Sequence, residues 1–83
     1  MTYNIEWVEA AEDDLADIWL RTPDRPAVTA AAAAIDRCLE QDPENEGESR
    51  PNGRRIAFFS PLGVRYRVVP GKRAVQVLRV WRF

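Results

Sequence analysis

The chain has 83 residues, of which 46% are hydrophobic and 30% are charged, a composition that suits one globular domain over residues 1–83. It has no histidine and a single cysteine, Cys38, so an internal disulfide is excluded, and neither a zinc site nor a Cys–His nucleophile pair is expected. We therefore predict neither a metal nor a cofactor.

Charge is divided unevenly between the two halves of the sequence. Residues 1–48 contain all 13 acidic residues and three arginines, whereas residues 49–83 contain nine basic residues and no acid. The net charge of −1 therefore hides halves of −10 and +9. Such a basic half predicts an anionic partner, although arginines on a solvated sheet face also discourage edge-to-edge pairing.

The N-terminal segment, MTYNIEWVEAAEDD, is acidic where a secretory signal peptide would be basic and then apolar. No run in the sequence approaches the ~20 apolar residues that a membrane-spanning helix needs. We expect a cytoplasmic protein.

The first predicted elements are a strand and a helix. Residues 3–8 alternate, with Tyr3, Ile5 and Trp7 on one side, which predicts a short strand. From Ala10 the apolar period becomes helical, and this helix must end before Pro23. Its buried face is predicted to contain Ala11, Leu15, Ile18 and Thr22.

A second helix is predicted to run from an N-cap at Asp24 to about Gln41, with Pro26 tolerated in its first turn. Its alanines, Ala30–Ala34, combine high helix propensity with a thin surface that allows close packing on a sheet. The predicted buried stripe is Val28, Ala31, Ala32, Ile35, Cys38 and Leu39.

A polar connection and three further strands complete the chain. Residues 42–53 contain Pro and Gly and are predicted to form a solvated loop long enough to be functional. Residues 54–83 form three apolar and arginine-rich runs, separated by turn residues at 60–63 and 70–72. The predicted fold is α+β, with two helices on one face of a small antiparallel sheet in the order β-α-α-β-β-β.

The alternation of the strands predicts which side chains lie on the face away from the helices. In the strand 64–69, Val64 and Tyr66 suit the core, so Arg65 and Arg67 point outward together. In the strand 74–83, Leu78 and Val80 are assigned to the core. The uncovered side of that strand is then predicted to carry Val75, Val77, Arg79, Trp81 and Phe83. Arginine beside exposed aromatic rings is the combination expected for single-stranded nucleic acid.

The chain resembles the RelE/ParE superfamily of type II toxin–antitoxin toxins over essentially its whole length. The resemblance rests on the order and spacing of five segments. These are the opening IEWVEAAEDDLADIW, the Ala-rich helix, the Leu39…Pro43…Gly47…Arg50 connection, the strand Val64–Val68 and the closing strand Val75–Val80. The resemblance implies the RelE/ParE fold and a toxin of a plasmid-stabilisation module.

Members of this superfamily differ in activity. RelE-like members are endoribonucleases that cut mRNA in the decoding site of the ribosome, whereas ParE-like members poison DNA gyrase without that chemistry. Both kinds are neutralised by a cognate antitoxin that wraps the toxin. The resemblance favours a RelE-like ribonuclease here, with a gyrase inhibitor or a non-toxic relative as the alternatives.

The resemblance also implies site residues. Arg54 or Arg55 matches the basic position on the strand that enters the meander, Arg65 lies two residues beyond the middle-strand position, and Arg82 matches a basic position on the last strand. Phe83 has no hydroxyl, so the general base is expected to be Glu48, with Tyr66 as the other candidate. The catalytic set is then Arg65, Arg82 and Glu48. The predicted RNA-binding residues are Arg54, Arg55, Arg67, Arg79 and Trp81.

Overall fold

The computed structural model describes residues 2–83, which form two helices packed on a five-stranded sheet. In chain order the elements are β1 (Asn4–Trp7), α1 (Glu9–Arg21), α2 (Arg25–Gln41), β2 (Glu48–Arg50), β3 (Arg54–Phe59), β4 (Leu62–Val68) and β5 (Ala74–Arg82). A 3-10 turn, Pro51–Gly53, joins β2 to β3. Within residues 2–83, no helix is both long and apolar enough to cross a membrane.

The two helices begin and end where the sequence predicts. The side chain of Asp24 accepts a hydrogen bond from the backbone N–H of Ala27 at 3.2 Å, which satisfies one of the free donors in the first turn of α2. Pro26 occupies that turn, where a missing N–H costs nothing. Helix α1 ends at Arg21, before Pro23, as predicted.

The predicted architecture is confirmed, and the sheet is mixed rather than wholly antiparallel. Its strand order is β1-β5-β4-β3-β2, and β1 pairs parallel with β5. The two helices carry the chain across one face of the sheet, from β1 at one edge to β2 at the other. The other neighbouring strands pair antiparallel. The predicted loop contains one more short strand, β2, which pairs with β3 after the chain turns at Gly47 with a φ of 64°.

The core lies between the helices and the sheet. Helix α2 buries Val28, Ala31, Ile35 and Leu39, four of the six residues predicted for its stripe, while Ala32 and Cys38 are only partly buried. The sheet contributes the buried side chains Ala57, Leu62, Val64, Tyr66, Val75, Val77 and Val80. Tyr66 therefore faces the core, as the alternation predicted.

The prediction for β5 was wrong for Val75, Val77 and Leu78, because the strand contains a bulge. Leu78, which was assigned to the core, is only partly buried and is not among the core residues. Val75 and Val77 are fully buried on the helix-covered side, whereas continuous alternation placed them on the opposite side. The pairing jumps from Arg65 opposite Arg79 to Tyr66 opposite Val77, which leaves Leu78 without a partner. One extra residue reverses the alternation, so both halves of β5 can present valines to the core.

The first predicted turn of the meander is shorter than expected. Strand β4 begins at Leu62, so Ser60 and Pro61 alone connect it to β3, through a cis peptide bond. Gly63, predicted as a turn residue, is therefore a buried strand residue opposite Phe58 and Trp81.

Candidate anion-binding site on the open face

The face of the sheet opposite the helices, called the open face here, is organised as rows of residues that lie opposite one another on neighbouring strands. Such residues share a face of the sheet. One row consists of Glu48, Ile56, Arg65 and Arg79, taken from β2 to β5. The next row consists of Arg50, Arg54, Arg67, Gln76 and Glu6, taken from β2 to β1.

Four of these side chains, Arg50, Arg54, Arg65 and Arg67, are called the arginine cluster. Arg50 lies opposite Arg54, and Arg54 lies opposite Arg67, so three positive charges occupy adjacent strands in one row. Like charges placed directly opposite each other destabilise a sheet. These facing arginines therefore lower the stability of the sheet while they concentrate positive charge on its open face.

A groove of about 410 Å³ runs between three members of the cluster. Its walls are formed by Arg50, Arg54 and Arg65, with Ile56 and the turn at Pro51 and Asn52. Asn52 adopts a left-handed conformation, with a φ of 63°, and its carbonyl oxygen accepts a hydrogen bond from Nη1 of Arg54 at 2.9 Å. Within residues 2–83, no hydrogen bond or ion pair engages the exposed side chain of Arg65. The groove therefore has unneutralised guanidinium groups available to an anion.

Next to the arginine cluster lies a group of rings, Phe58, Trp81 and Phe83, called the aromatic cluster. Phe58 contacts Trp81 edge to face, with 6.3 Å between ring centroids, and contacts Phe83 in the same way at 5.3 Å. A Cβ atom on Gly63 would come within 2.5 Å of the Trp81 indole, so glycine makes room for this ring against β4. Phe58 and Phe83 remain 60% and 62% exposed. The rings thus form an apolar patch at one end of the open face, in which the exposed rings of Phe58 and Phe83 stand nearly perpendicular to each other.

Arg79, predicted to bind RNA, is instead held by helix α1. Its Nε and Nη2 donate to the two carboxylate oxygens of Asp14 at 2.7 and 2.9 Å. Asp14 also accepts a hydrogen bond from the backbone N–H of Val80 at 3.0 Å, on the stretch of β5 beyond the end of β1. The hydrogen bonds from Arg79 lower the pKa of Asp14, and burial opposes them only in part. Through this ion pair with two parallel hydrogen bonds, Arg79 links β5 to helix α1.

Arg55 is likewise engaged in holding the backbone. It lies opposite Tyr66 on the helix-covered side and donates to the carbonyl oxygens of Glu46 and Gly47 at 2.9 and 3.2 Å. The Tyr66 hydroxyl lies 2.7 Å from the carbonyl oxygens of Pro43 and Glu46, and its one proton can be donated to either. Burial raises the pKa of Tyr66, although the nearby Arg55 opposes this. These two side chains fasten the connection between α2 and β2.

The structure does not bring the three predicted catalytic residues together. Glu48 and Arg65 share the open face but are separated by β3, which amounts to about 10 Å between their strands. The Glu48 carboxylate is 77% exposed and forms an ion pair with Arg50 at 3.2 Å. Arg82 lies opposite the buried Leu62, and so on the other face of the sheet from Arg65.

Sequence reasoning missed three residues of this region. Arg50 lies in a segment that the sequence predicts as loop, so the sequence does not assign it to the site. Phe58 alternates with the buried Ala57, and that signal was available in the sequence. Asp14 pairs with Arg79, which lies 65 positions away in the chain, and no local sequence pattern predicts this contact. Within residues 2–83, no group of three acidic, histidine or cysteine side chains is placed to hold a metal ion.

Comparisons with known proteins agree with this fold. The sequence model of the "ParE toxin of type II toxin-antitoxin system, parDE" matches residues 5–82. The toxin–antitoxin complex RelBE2 from Mycobacterium tuberculosis contains a chain that is 23% identical, with a TM-score of 0.79 and all of both chains covered. A chromosomal ParDE system from P. aeruginosa contains a chain that is 22% identical, with a TM-score of 0.74, covering 96% of this chain and 95% of that one.

A third solved structure is similar over part of its length. TrmO from Pseudomonas aeruginosa is 25% identical with a TM-score of 0.64, and the similarity covers 98% of this chain and 33% of that one. No curated protein sequence matches the chain. The structural likenesses establish the fold, and the family match extends over nearly every element of it. The chain belongs to the ParE toxin family of type II toxin–antitoxin systems, within the RelE/ParE superfamily.

Proposed function

We propose that this toxin acts as ParE-like toxins do, by binding and poisoning DNA gyrase, and that it does not cut RNA. The observation that carries the proposal is the separation of Glu48, Arg65 and Arg82 by strand β3 and by the sheet itself. A toxin that acts by binding requires a docking surface and no catalytic set. This proposal departs from the ribonuclease that the superfamily resemblance favoured.

RNA cleavage by a ribose 2′-hydroxyl needs a base for that proton, an acid for the leaving oxygen and cations for the developing charge. Arginine supplies only the last, because its pKa exceeds ~12. Tyr66 is fully buried, its hydroxyl is engaged with backbone carbonyls, and its pKa is raised by burial. Glu48 is paired with Arg50 and lies two strands from Arg65. None of the described side chains near the arginine cluster is therefore suited to act as the base.

The family match supports the choice of target. ParE-like members of the superfamily are the ones that the resemblance connects with gyrase, and the matching family is that of ParE. The proposal requires that the protein acts in the cytoplasm together with gyrase, and that a cognate antitoxin neutralises it. The arginine cluster would attract either a DNA-bound enzyme or the ribosome, so charge alone does not separate the two targets.

The test compares two readouts of the purified toxin, freed from its antitoxin. Gyrase supercoiling of plasmid DNA is measured together with trapped DNA breaks, and mRNA 5′ ends are mapped in a translating extract. We expect inhibited supercoiling and accumulated breaks, with mRNA left intact. Glu48→Gln should inhibit gyrase as strongly as the wild type, because no proton transfer is involved.

Exposed Glu12 on α1 offers a matched control, because Glu12→Gln also removes one carboxylate, from the helix layer rather than from the open face. Cuts at fixed codon positions that depend on ribosomes and disappear in Glu48→Gln would overturn the proposal in favour of RNA cleavage. A toxin that affects neither gyrase nor mRNA would overturn it in favour of a non-toxic relative.

A further inference from the structure

We propose that the open face of the isolated toxin binds a single-stranded nucleic acid, with phosphates at Arg54, Arg65 and Arg67 and an unpaired base on the aromatic cluster. This goes beyond the proposed function, because it is a property of the toxin alone and holds whichever enzyme is the target. The proposal also separates the arginines that bind from those that maintain the fold.

The arginine cluster carries a cost in the stability of the sheet. Arg54 faces Arg50 on one neighbouring strand and Arg67 on the other, an arrangement that weakens the sheet. Natural proteins break such local rules at functional sites, and the Glu48–Arg50 ion pair offsets only one of these three charges. A polyanion that bridges the three strands would supply the missing compensation.

The nearby acids leave most of the arginine cluster without an ionic partner. On the open face, Glu48 is engaged with Arg50, and Glu6 is engaged with Gln76 at 3.3 Å. Arg67 donates to the neutral amide oxygen of Gln76 at 2.9 Å, and Arg54 donates to a backbone carbonyl. No carboxylate of residues 2–83 forms an ion pair with Arg54, Arg65 or Arg67. Three full positive charges therefore remain for a ligand.

The spacing of the rows along β4 suits an extended ligand. Successive rows on one face of a strand are about 6.6–6.8 Å apart, so Arg67, Arg65 and the aromatic row follow one another at that interval along β4. A nucleic-acid strand lying along β4 would meet two cations and then the rings of Phe58 and Phe83. Exposed rings stack on unpaired bases, which a duplex keeps inside its own stack. The row order therefore favours a single strand over a duplex.

The test measures the fluorescence anisotropy of short labelled oligonucleotides: single-stranded DNA, single-stranded RNA of matching sequence, and duplex DNA. We expect both single strands to bind more tightly than the duplex, and the ratio of the two affinities tells which strand the toxin prefers. If three arginines contact phosphates, each contact contributes about −0.7 to the slope of log Kobs against log salt for a single strand. We therefore expect the wild type to show a slope of about −2 with both single strands.

Two sets of variants with equal charge locate the site. The triple variant Arg54→Gln, Arg65→Gln and Arg67→Gln should abolish most of the salt dependence. The control removes three charges elsewhere, through Arg21→Gln, Arg37→Gln and Lys72→Gln, and should retain the wild-type slope. Phe58→Ser with Phe83→Ser should weaken binding about fivefold or more, because one stacked base is lost. Circular dichroism and urea unfolding confirm that each variant is folded.

Four results would overturn the proposal. Equal binding by the two triple variants would move the ligand away from the open face. If an abasic oligonucleotide bound as tightly as the same oligonucleotide with bases, the aromatic cluster would take no part in recognition. Tighter binding of the duplex would contradict the single-strand assignment. Competition by poly-glutamate as strong as that by unlabelled oligonucleotide would identify an acidic protein segment as the natural occupant.

Discussion

Asp14 of helix α1 and Arg79 of strand β5 form an ion pair with two hydrogen bonds, at 2.7 and 2.9 Å, between residues 65 positions apart. The same carboxylate accepts the Val80 backbone N–H, so it joins the acidic helix to the basic meander at one point. The Asp14 side chain is 17% exposed, whereas that of Arg79 is 59% exposed. The two partners therefore contribute unequally.

We expect Asp14→Ala to destabilise the protein by about 1–2 kcal/mol, because it leaves the partly buried N–H of Val80 unpaired and removes the charged acceptor. Arg79→Ala should cost clearly less, because its guanidinium is largely solvated and the Asp14–Val80 contact survives. Urea unfolding of both variants measures the difference. Equal losses would mean that the ion pair, rather than the backbone contact, is what stabilises this junction.

The same carboxylate predicts how stability depends on pH. The folded-state pKa of Asp14 is lowered by Arg79, so its contribution is fully present above the unfolded value of about 3.9. It is lost as the pH falls through the lower, folded pKa. The stability difference between the wild type and Asp14→Asn should therefore be constant near neutral pH and shrink under acid conditions. A difference that grows on acidification would contradict the assignment.

Tyr66 gives a test of how the connection between α2 and β2 is fastened. Tyr66→Phe keeps the buried ring but removes the hydroxyl, whose proton is donated to the carbonyl oxygen of Pro43 or Glu46. We expect a loss of about 1–2 kcal/mol in urea unfolding, because a buried acceptor loses its donor. Limited proteolysis should also cut residues 42–47 faster. Unchanged proteolysis would assign the fastening to Arg55 alone.

Local sequence patterns are sufficient to predict several elements of the fold. Helix ends followed from Pro23 and the Asp24 cap, and the core face of β4 followed from alternation through Val64 and Tyr66. The bulge at Leu78 could not be read from the sequence, because alternation has no signal for an extra residue until the pairing with β4 is known.

The sequence predicts that the candidate site is basic, but it does not predict which arginines are available to a ligand. The absence of acids after Glu48 pointed to a basic surface, and Arg65 and Arg67 were correctly placed on the open face. Long-range contacts decided which other arginines remain available. Asp14 engages Arg79, and the carbonyls of residues 46 and 47 engage Arg55. Neither partner could be inferred from neighbours in the chain.

Gly47 and Gly71 allow the backbone cost of a substitution to be separated from a steric clash. Both have a positive φ, 64° and 74°, which costs an alanine about 1–2 kcal/mol. A Cβ on Gly71 would meet nothing within 4 Å, whereas a Cβ on Gly47 would collide with the carbonyl oxygen of Ile56 on β3. We therefore expect Gly47→Ala to exceed Gly71→Ala by about 1–3 kcal/mol in urea unfolding, because β2 must move away from β3. Equal losses in the two variants would show that β2 shifts without cost. The Glu48–Ile56 pairing would then not be needed to hold the edge of the arginine cluster, and Arg50 would no longer count among its fixed members.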